Sequence, residues 1–372
     1  MCAGAFAIAS CGTSPTLQSG PTAATISPPP HPADNPPTAA KVELGRRLFY
    51  DADLSWTGVM SCATCHEQKR GFTDPNKTRQ GVLGDPGERN IQTLANVGYF
   101  GSLTWGGPQV DILEHQALIP ITGIAPIEMG FGGNREDVLP ARLKDQACYP
   151  KLFAAAFPER KGEISMDTIA MSLATFQRSL ISLDAPYDHY RRGDASAISD
   201  QAKRGETLFS SKQCSTCHAG VHFTEAALPG RKPGENFHAL APPEPDEALK
   251  PDTGLQRITQ KPEDAYRFRT PGLRNVALSA PYMHDGEQPT LSGAIRYHYA
   301  AADRQTDERL KQTVGEREVA DLIAFLETLT DQSFITNPAF ALPPPGCPVA
   351  ITTEQAAEAQ NSALQHNSPA GP

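Results

Sequence analysis

A mainly α chain, built as two helical units with long loops, is the fold class this sequence predicts, and three observations carry it. The pentapeptide Cys62-Ala63-Thr64-Cys65-His66 has a counterpart in Cys214-Ser215-Thr216-Cys217-His218. The segments before them also match: LGRRLF at 44–49 returns as RGETLF at 204–209. The 34 prolines and 30 glycines fit a loop-rich chain of short helices. A repeated segment marks a duplicated structural unit, and 372 residues leave room for two domains of ordinary size.

Each pentapeptide is a C-x-x-C-H, the attachment signature of c-type haem. Two thiols on one helical turn can add to the two vinyl groups of one porphyrin. The histidine that follows then faces the iron as proximal ligand. A single copy could instead be a thioredoxin-like C-x-x-C or half a zinc site. Two copies, each behind a similar helix, leave that alternative little room. The expectation is two covalently bound haem c groups. Cys62, Cys65 and His66 hold one, Cys214, Cys217 and His218 the other, in two cytochrome-c-like domains (38–195 and 196–340) with the haems near the domain interface.

In chain order, Met1 to Cys11 is a short apolar run like a signal-peptide core without its basic start. Ile8-Ala9-Ser10-Cys11 also resembles a lipobox, in which Cys11 would carry a lipid anchor. Residues 12–37 have almost no large apolar side chains and read as a flexible tether, so 1–37 forms a leader and tether. Ala40–Tyr50 has Val42, Leu44, Leu48 and Phe49 compatible with one helical face. Met166–Leu183 repeats apolar residues at helical intervals and stops at Asp184-Ala185-Pro186. Ser199-Asp200-Gln201-Ala202 opens the second repeat helix. Pro229–Thr253 reads as a long surface loop. Thr313-Val314-Gly315-Glu316 reads as a capping box opening the closing helix, and the tail 341–372 turns polar and disordered.

Net charge is −9 and spread along the chain, with no basic run to suggest nucleic acid. No stretch is long and apolar enough to span a bilayer. Of eight cysteines, four are committed to haem. Haem attachment takes place outside the bacterial cytoplasm, where disulfides persist. Cys148 and Cys347 could therefore form a bridge or remain two separate buried thiols.

The residues between the motifs resemble the bacterial di-haem cytochrome c peroxidase and MauG superfamily over about 40–335. The matching stretches are ELGRRLFYD, SCATCH, GFTD, ERN with TLAN, LEHQA, PIEMG, CSTCH, FRTPGLRNVALSAPYMHDG and ADLIAFLETLT. ADNPPTAAKVELGRRLFYD, ILEHQALIPI and HYAA point to the MauG-like branch that includes di-haem proteins of copper-peptide (methanobactin) gene cassettes.

That resemblance implies site residues. Glu128 of PIEMG matches the distal acid/base carboxylate over the first haem, which can shuttle a proton between the two oxygens of peroxide. Gln116 of LEHQA matches the distal glutamine, though the stretch between the two is slightly longer here. Trp105, fifteen residues after Asn90, has the spacing of the inter-haem tryptophan. Asn90, with the backbone carbonyls of Ser279 and Pro281, matches a calcium site. The loop 79–89 carries no histidine, so the first haem should keep an open face without reductive activation. The helix after MHDG has no methionine. Tyr299, aligned through HYAA, is the first choice as sixth ligand of the second haem. An ungapped count from His284 points to His298, and Tyr297 is near. His284 is expected to be structural, and His115, His189 and His222 ordinary.

The implied activity is that of a periplasmic, MauG-like enzyme, membrane-tethered if Cys11 is lipidated. Hydrogen peroxide would generate a high-valent di-haem state that oxidises a partner protein. The copper-peptide branch implies a copper-binding partner and a tryptophan oxidised towards kynurenine. Two alternatives stand beside it. One is a conventional di-haem cytochrome c peroxidase that detoxifies peroxide with electrons from a small cytochrome. The other is a non-enzymatic electron carrier or haem-based sensor.

Overall fold

The computed structural model describes residues 26–230, 232, 234–239, 251–299 and 307–345. Both repeated helices form, as Ala39–Tyr50 and Asp200–Ser211. Each starts at a hydroxyl cap: Thr38 accepts from the Lys41 amide and Ser199 from the Ala202 amide. Each then crosses a later helix at a glycine. A Cβ at Gly45 would fall 2.0 Å from the Ser172 carbonyl oxygen of helix Met166–Ser179. A Cβ at Gly205 would fall 1.9 Å from the Asp321 carbonyl oxygen of helix Glu316–Glu327. Both positions need the backbone-on-backbone approach that only glycine allows.

Next to each crossing stands the same aromatic group. Phe49 meets Phe176 at 5.3 Å and Phe72 at 5.9 Å. Phe209 meets Phe325 at 5.2 Å and Phe223 at 6.0 Å. The repeat also extends to a pair of turns. Asn96 and Asn275 both adopt left-handed backbone, φ 60° and 62°, before a single 3-10 turn. Asn96 donates its amide to the Leu180 carbonyl, just past helix Met166–Ser179. Asn275 does the same to Leu329, just past helix Glu316–Glu327. Each side chain then pins the following chain: Asn96 Oδ1 accepts from the Ser182 amide and Asn275 Oδ1 from the Asp331 amide, both at 2.8 Å.

The molecule is mainly α, with one two-stranded antiparallel ribbon, Phe237–Ala239 on Arg267–Arg269. The first unit adds helices Leu113–Thr122, Val138–Asp145 and Tyr149–Ala156 around a core holding Leu44, Phe153, Phe157 and Phe176. The core of the second unit is smaller, gathered about Phe209, Phe223, Leu322 and Phe325. The space it leaves is a cavity whose walls come from both units, with Asn90 and Trp105 on one side and His218 and His298 on the other. A cavity thus opens where the two units meet. Among the described residues, no helix is long and apolar enough to cross a membrane.

Several local expectations change. The helix from Met166 ends at Ser179, and residues 180–185 run on before Pro186 opens the next helix. The closing helix is capped by Glu318, whose carboxylate accepts the Gly315 amide at 2.8 Å, not by a Thr313–Glu316 box. The loop 229–253 supplies the ribbon strand, with Phe237 fully buried. The described part of the tether, 26–37, is fastened to the first unit. Asn35 is 1 % exposed, donates to Glu114 and to the Met171 carbonyl, and accepts from Lys41 Nζ. Polar contacts, invisible to a hydrophobic pattern, hold it. The end of the second domain also belongs elsewhere. Helix Gln332–Ile335 and Phe340 join the first core, where Phe334 packs on Phe72 and Tyr50 donates to the Phe340 carbonyl. Cys148 is disulfide-bonded; Cys347, one candidate partner, lies outside the described residues with Cys2 and Cys11.

Candidate functional site

The two pentapeptides fold as single helical turns, Cys62–Cys65 and Cys214–Cys217, closed by the His66 and His218 amides on the Cys62 and Cys214 carbonyls. Burial pushes the Cys62 and Cys65 thiols up to about 12 and raises Cys214. An uncharged thioether suits such a site better than the thiolates a zinc centre needs.

His66 Nδ1 lies 2.8 Å from the Phe72 carbonyl, and the Gln92 carbonyl also bears on the ring. His218 Nδ1 lies 3.2 Å from the Phe223 carbonyl and 3.1 Å from that of Pro271. Phe72 and Phe223 turn those carbonyls inward with φ of 63° and 54°. A carbonyl can only accept, so Nδ1 carries the proton and Nε2 keeps its lone pair. Burial lowers the pKa of both rings, that of His218 to about 4 with help from His298. Both are neutral imidazoles of the kind that ligates iron.

The cavity between the units adds an independent sign of the cofactor. Arg269 lines it, is 3 % exposed, and leaves Nε without an acceptor. Its other nitrogens reach only neutral oxygens, the Thr270 carbonyl and Gln92 Oε1. A buried guanidinium requires an anion, and haem brings two propionates. The residues present therefore fit haem at this site.

Opposite the two proximal histidines the units differ. His298, on helix Leu291–Tyr299, faces His218 with ring centres 6.5 Å apart and planes at 66°. Its Nδ1 is tied to the Ala294 carbonyl at 2.8 Å. Two imidazoles on opposite faces of one metal ion, at about 2 Å per bond, stand with ring centres roughly 6 Å apart. Tyr299, the first choice, is not so placed. Its hydroxyl donates to the Lys212 carbonyl at 3.2 Å, beside Cys214 Sγ at 3.6 Å, and burial pushes its pKa far above the usual phenol range. One residue along a helix turns the side chain by about 100°, which carries Tyr299 off the His218 axis.

Among the described residues no histidine ring faces His66 in this way. The loop bearing Glu128 lies against the helix bearing Gln116: the Met129 amide donates to the Pro120 carbonyl and the Phe131 amide to that of Ile121. Gln116 is half-buried on helix Leu113–Thr122. Glu128 keeps an exposed surface, yet the protein around its carboxyl desolvates it and raises its pKa. Its carboxylate also bears on Cys62 and Cys65.

Trp105 lines the cavity between the units, and its Nε1 donates to the Asn90 carbonyl at 2.8 Å. Asn90, Ser279 and Pro281 line the same cavity. Asn90 Nδ2 donates to the Lys77 carbonyl, and its amide to that of His284. His284 stacks on Phe268 at 3.6 Å, as a structural residue would. Sequence reasoning missed Arg269 and the pair of buried Glu225 with half-buried His238, whose ligand atoms fall within 4.8 Å of Cys217 Sγ. Arg269 lies in the FRTPG stretch, but a motif does not reveal that its charge is buried. His238 lies on a loop read as surface.

The chain matches the family model for di-haem cytochrome c peroxidase over residues 39–196 and that for cytochrome c over 202–330. It is 36% identical to the methylamine utilization protein MauG of Methylorubrum extorquens, over 83% of this chain and 84% of that protein. It is 31% identical to the cytochrome c551 peroxidase of Pseudomonas aeruginosa, over 77% and 78%. A crystal structure of a MauG-like protein associated with microbial copper homeostasis superposes with a TM-score of 0.77 at 39% identity, over 86% of this chain and 97% of that one.

Proposed function

The chain belongs to the di-haem cytochrome c peroxidase and MauG family, on the MauG-like side, and from that premise we propose how its residues divide the work. It is a haem peroxidase-type oxidoreductase that uses hydrogen peroxide. The observation that carries the finer reading is the contrast between the faces opposite His66 and His218.

Bound haem would supply the two-electron reduction of peroxide and store the oxidising equivalents. Glu128 takes the proton that one peroxide oxygen loses and returns it to the other as water leaves. Its raised pKa suits both halves of that task. Gln116, on the adjoining helix, holds the oxygen by hydrogen bonding. His66 and His218 would each hold a haem iron, and His298, facing His218, would complete the set at the second haem. A second imidazole, unlike methionine, does not raise the haem potential. That favours sharing oxidising equivalents over receiving electrons from a small cytochrome. Trp105 links the two sites, and the Asn90 carbonyl on its Nε1 accommodates the positive charge of an oxidised indole. Asn90 Oδ1 and the carbonyls of Ser279 and Pro281 accept no hydrogen bond from described residues and offer a hard oxygen set for Ca2+.

The substrate is a periplasmic protein that binds copper, and its tryptophan is oxidised towards kynurenine. The copper-homeostasis neighbour supports this choice. The test is titration of the di-ferric protein with one equivalent of peroxide, followed by mass analysis of the partner. A long-lived oxidised state with near-infrared absorption, and a partner gaining oxygen, is the expected result. An unchanged partner mass sinks the substrate assignment. Reaction only after one haem is pre-reduced would make this a conventional peroxidase.

A further inference from the structure

Trp105 is one of two tryptophans in the chain. The other, Trp56, lies on the peroxide side. Its amide donates to the Met129 carbonyl at 2.7 Å, one residue past Glu128, and its ring meets Phe131 edge-on at 5.8 Å. Its side chain is half-buried. As an indole it is as oxidisable as Trp105, yet its surroundings are opposite. Trp105 Nε1 donates to a carbonyl, whereas Trp56 Nε1 donates to no described residue. Over the face of Trp56 stands the Arg135 guanidinium, 4.8 Å from the ring centre and held by its Nη1 on the Gly130 carbonyl at 3.2 Å. Arg142 Nη2 donates to the Trp56 carbonyl at 3.0 Å. Both arginines hydrogen-bond backbone carbonyls, and neither forms an ion pair with a described residue, so their charges stand unneutralised.

A cation over a neutral ring is attracted to the ring face. The same cation opposes the positive charge that the ring acquires when an electron leaves it. We infer that Arg135 guards Trp56 against oxidation, so that equivalents generated beside Glu128 pass to Trp105 and not into the protein's own surface. Arg135 is a positioning residue for the flow of charge. The inference rests on the peroxide reading above. Without the guard, Trp56 loses two electrons and two protons and gains one oxygen from water, while peroxide takes up those electrons and protons to give two waters. The sum is Trp + H2O2 → hydroxytryptophan + H2O, a gain of one oxygen mass.

The test compares di-haem holoprotein as wild type, Arg135→Gln and Arg135→Lys, without a partner, by peptide mass mapping after peroxide. Oxidation of the Trp56 peptide should rise at least about tenfold in the glutamine variant and stay near wild type in the lysine variant, which keeps the charge. A second arm uses a photogenerated ruthenium tris-bipyridyl oxidant in place of peroxide. The same order of variants there, with no residue oxidised by peroxide in any of them, overturns the peroxide reading and keeps the guard. Equal Trp56 oxidation in wild type and Arg135→Gln under both oxidants overturns the guard and leaves the peroxide reading standing.

Discussion

The two haem units agree where they hold the proximal histidine and part company on the opposite face. Phe49 stands 6.3 Å from His66 and Phe209 6.5 Å from His218, each behind a glycine crossing and before a left-handed phenylalanine. In the first unit a loop and a helix that no described part of the second unit repeats carry Glu128 and Gln116, and Glu128 bears on Cys62 and Cys65. Opposite His218 lies one short helix presenting His298. The shared face is made of backbone: carbonyls that fix an imidazole, and helices too close for a side chain between them. Such a face leaves little freedom to change. The divergent face is made of side chains on separate segments, and there a duplicated unit can take up a second task.

The largest test of that division is Glu128→Gln. Reaction with peroxide should slow by about 100- to 10,000-fold, measured by stopped-flow, with the second haem's resting spectrum unchanged. Because burial raises the Glu128 pKa and the carboxylate form is the base, the wild-type rate should fall as pH drops through a value above the ordinary glutamate range. The variant should lose that inflection. His298→Ala should next free the sixth position of the second haem alone, visible as one low-spin signal turning high-spin by electron paramagnetic resonance. If both haems change, the units are not divided as described. Gly45→Ala and Gly205→Ala should each destabilise the holoprotein by about 1–3 kcal/mol or more through overpacking. Equal losses in thermal unfolding would sharpen the equivalence of the two crossings, and a tolerated alanine at one would break it. The smallest effect belongs to Tyr299→Phe, which removes one hydrogen bond worth about 1 kcal/mol and should leave the low-spin signal in place.

Much of the scaffold could be read in the sequence because chemistry fixes its spacing. Two thioethers to one porphyrin demand C-x-x-C-H, and the helix before each motif has its own apolar face. The Asn96 and Asn275 turns were also there to be seen, as LANV and LRNV, but four residues are too few to stand out without the shared φ values. The choice between His298 and Tyr299 turns on helix phase, which packing sets: Ala294 and Tyr299 are buried, and the His298 ring stands 6.5 Å from that of His218. Asn35 and Arg269 escaped for a common reason. Both are polar residues buried by their partners, and composition reads polarity as exposure.

One feature of the chain's path bears on how the molecule is made. Gln68 reaches the Phe334 and Asn337 carbonyls, and Arg46 those of Pro338 and Ala341, so the first unit is closed by residues from the far end of the chain. While the protein is being synthesised, Cys62 and Cys65 emerge long before Phe334, which packs on Phe72. Helix Gln332–Ile335 can therefore close over the first unit, as a latch, only after both motifs have been made. A chain cut short before Gln332 would leave that latch missing while its second motif was complete.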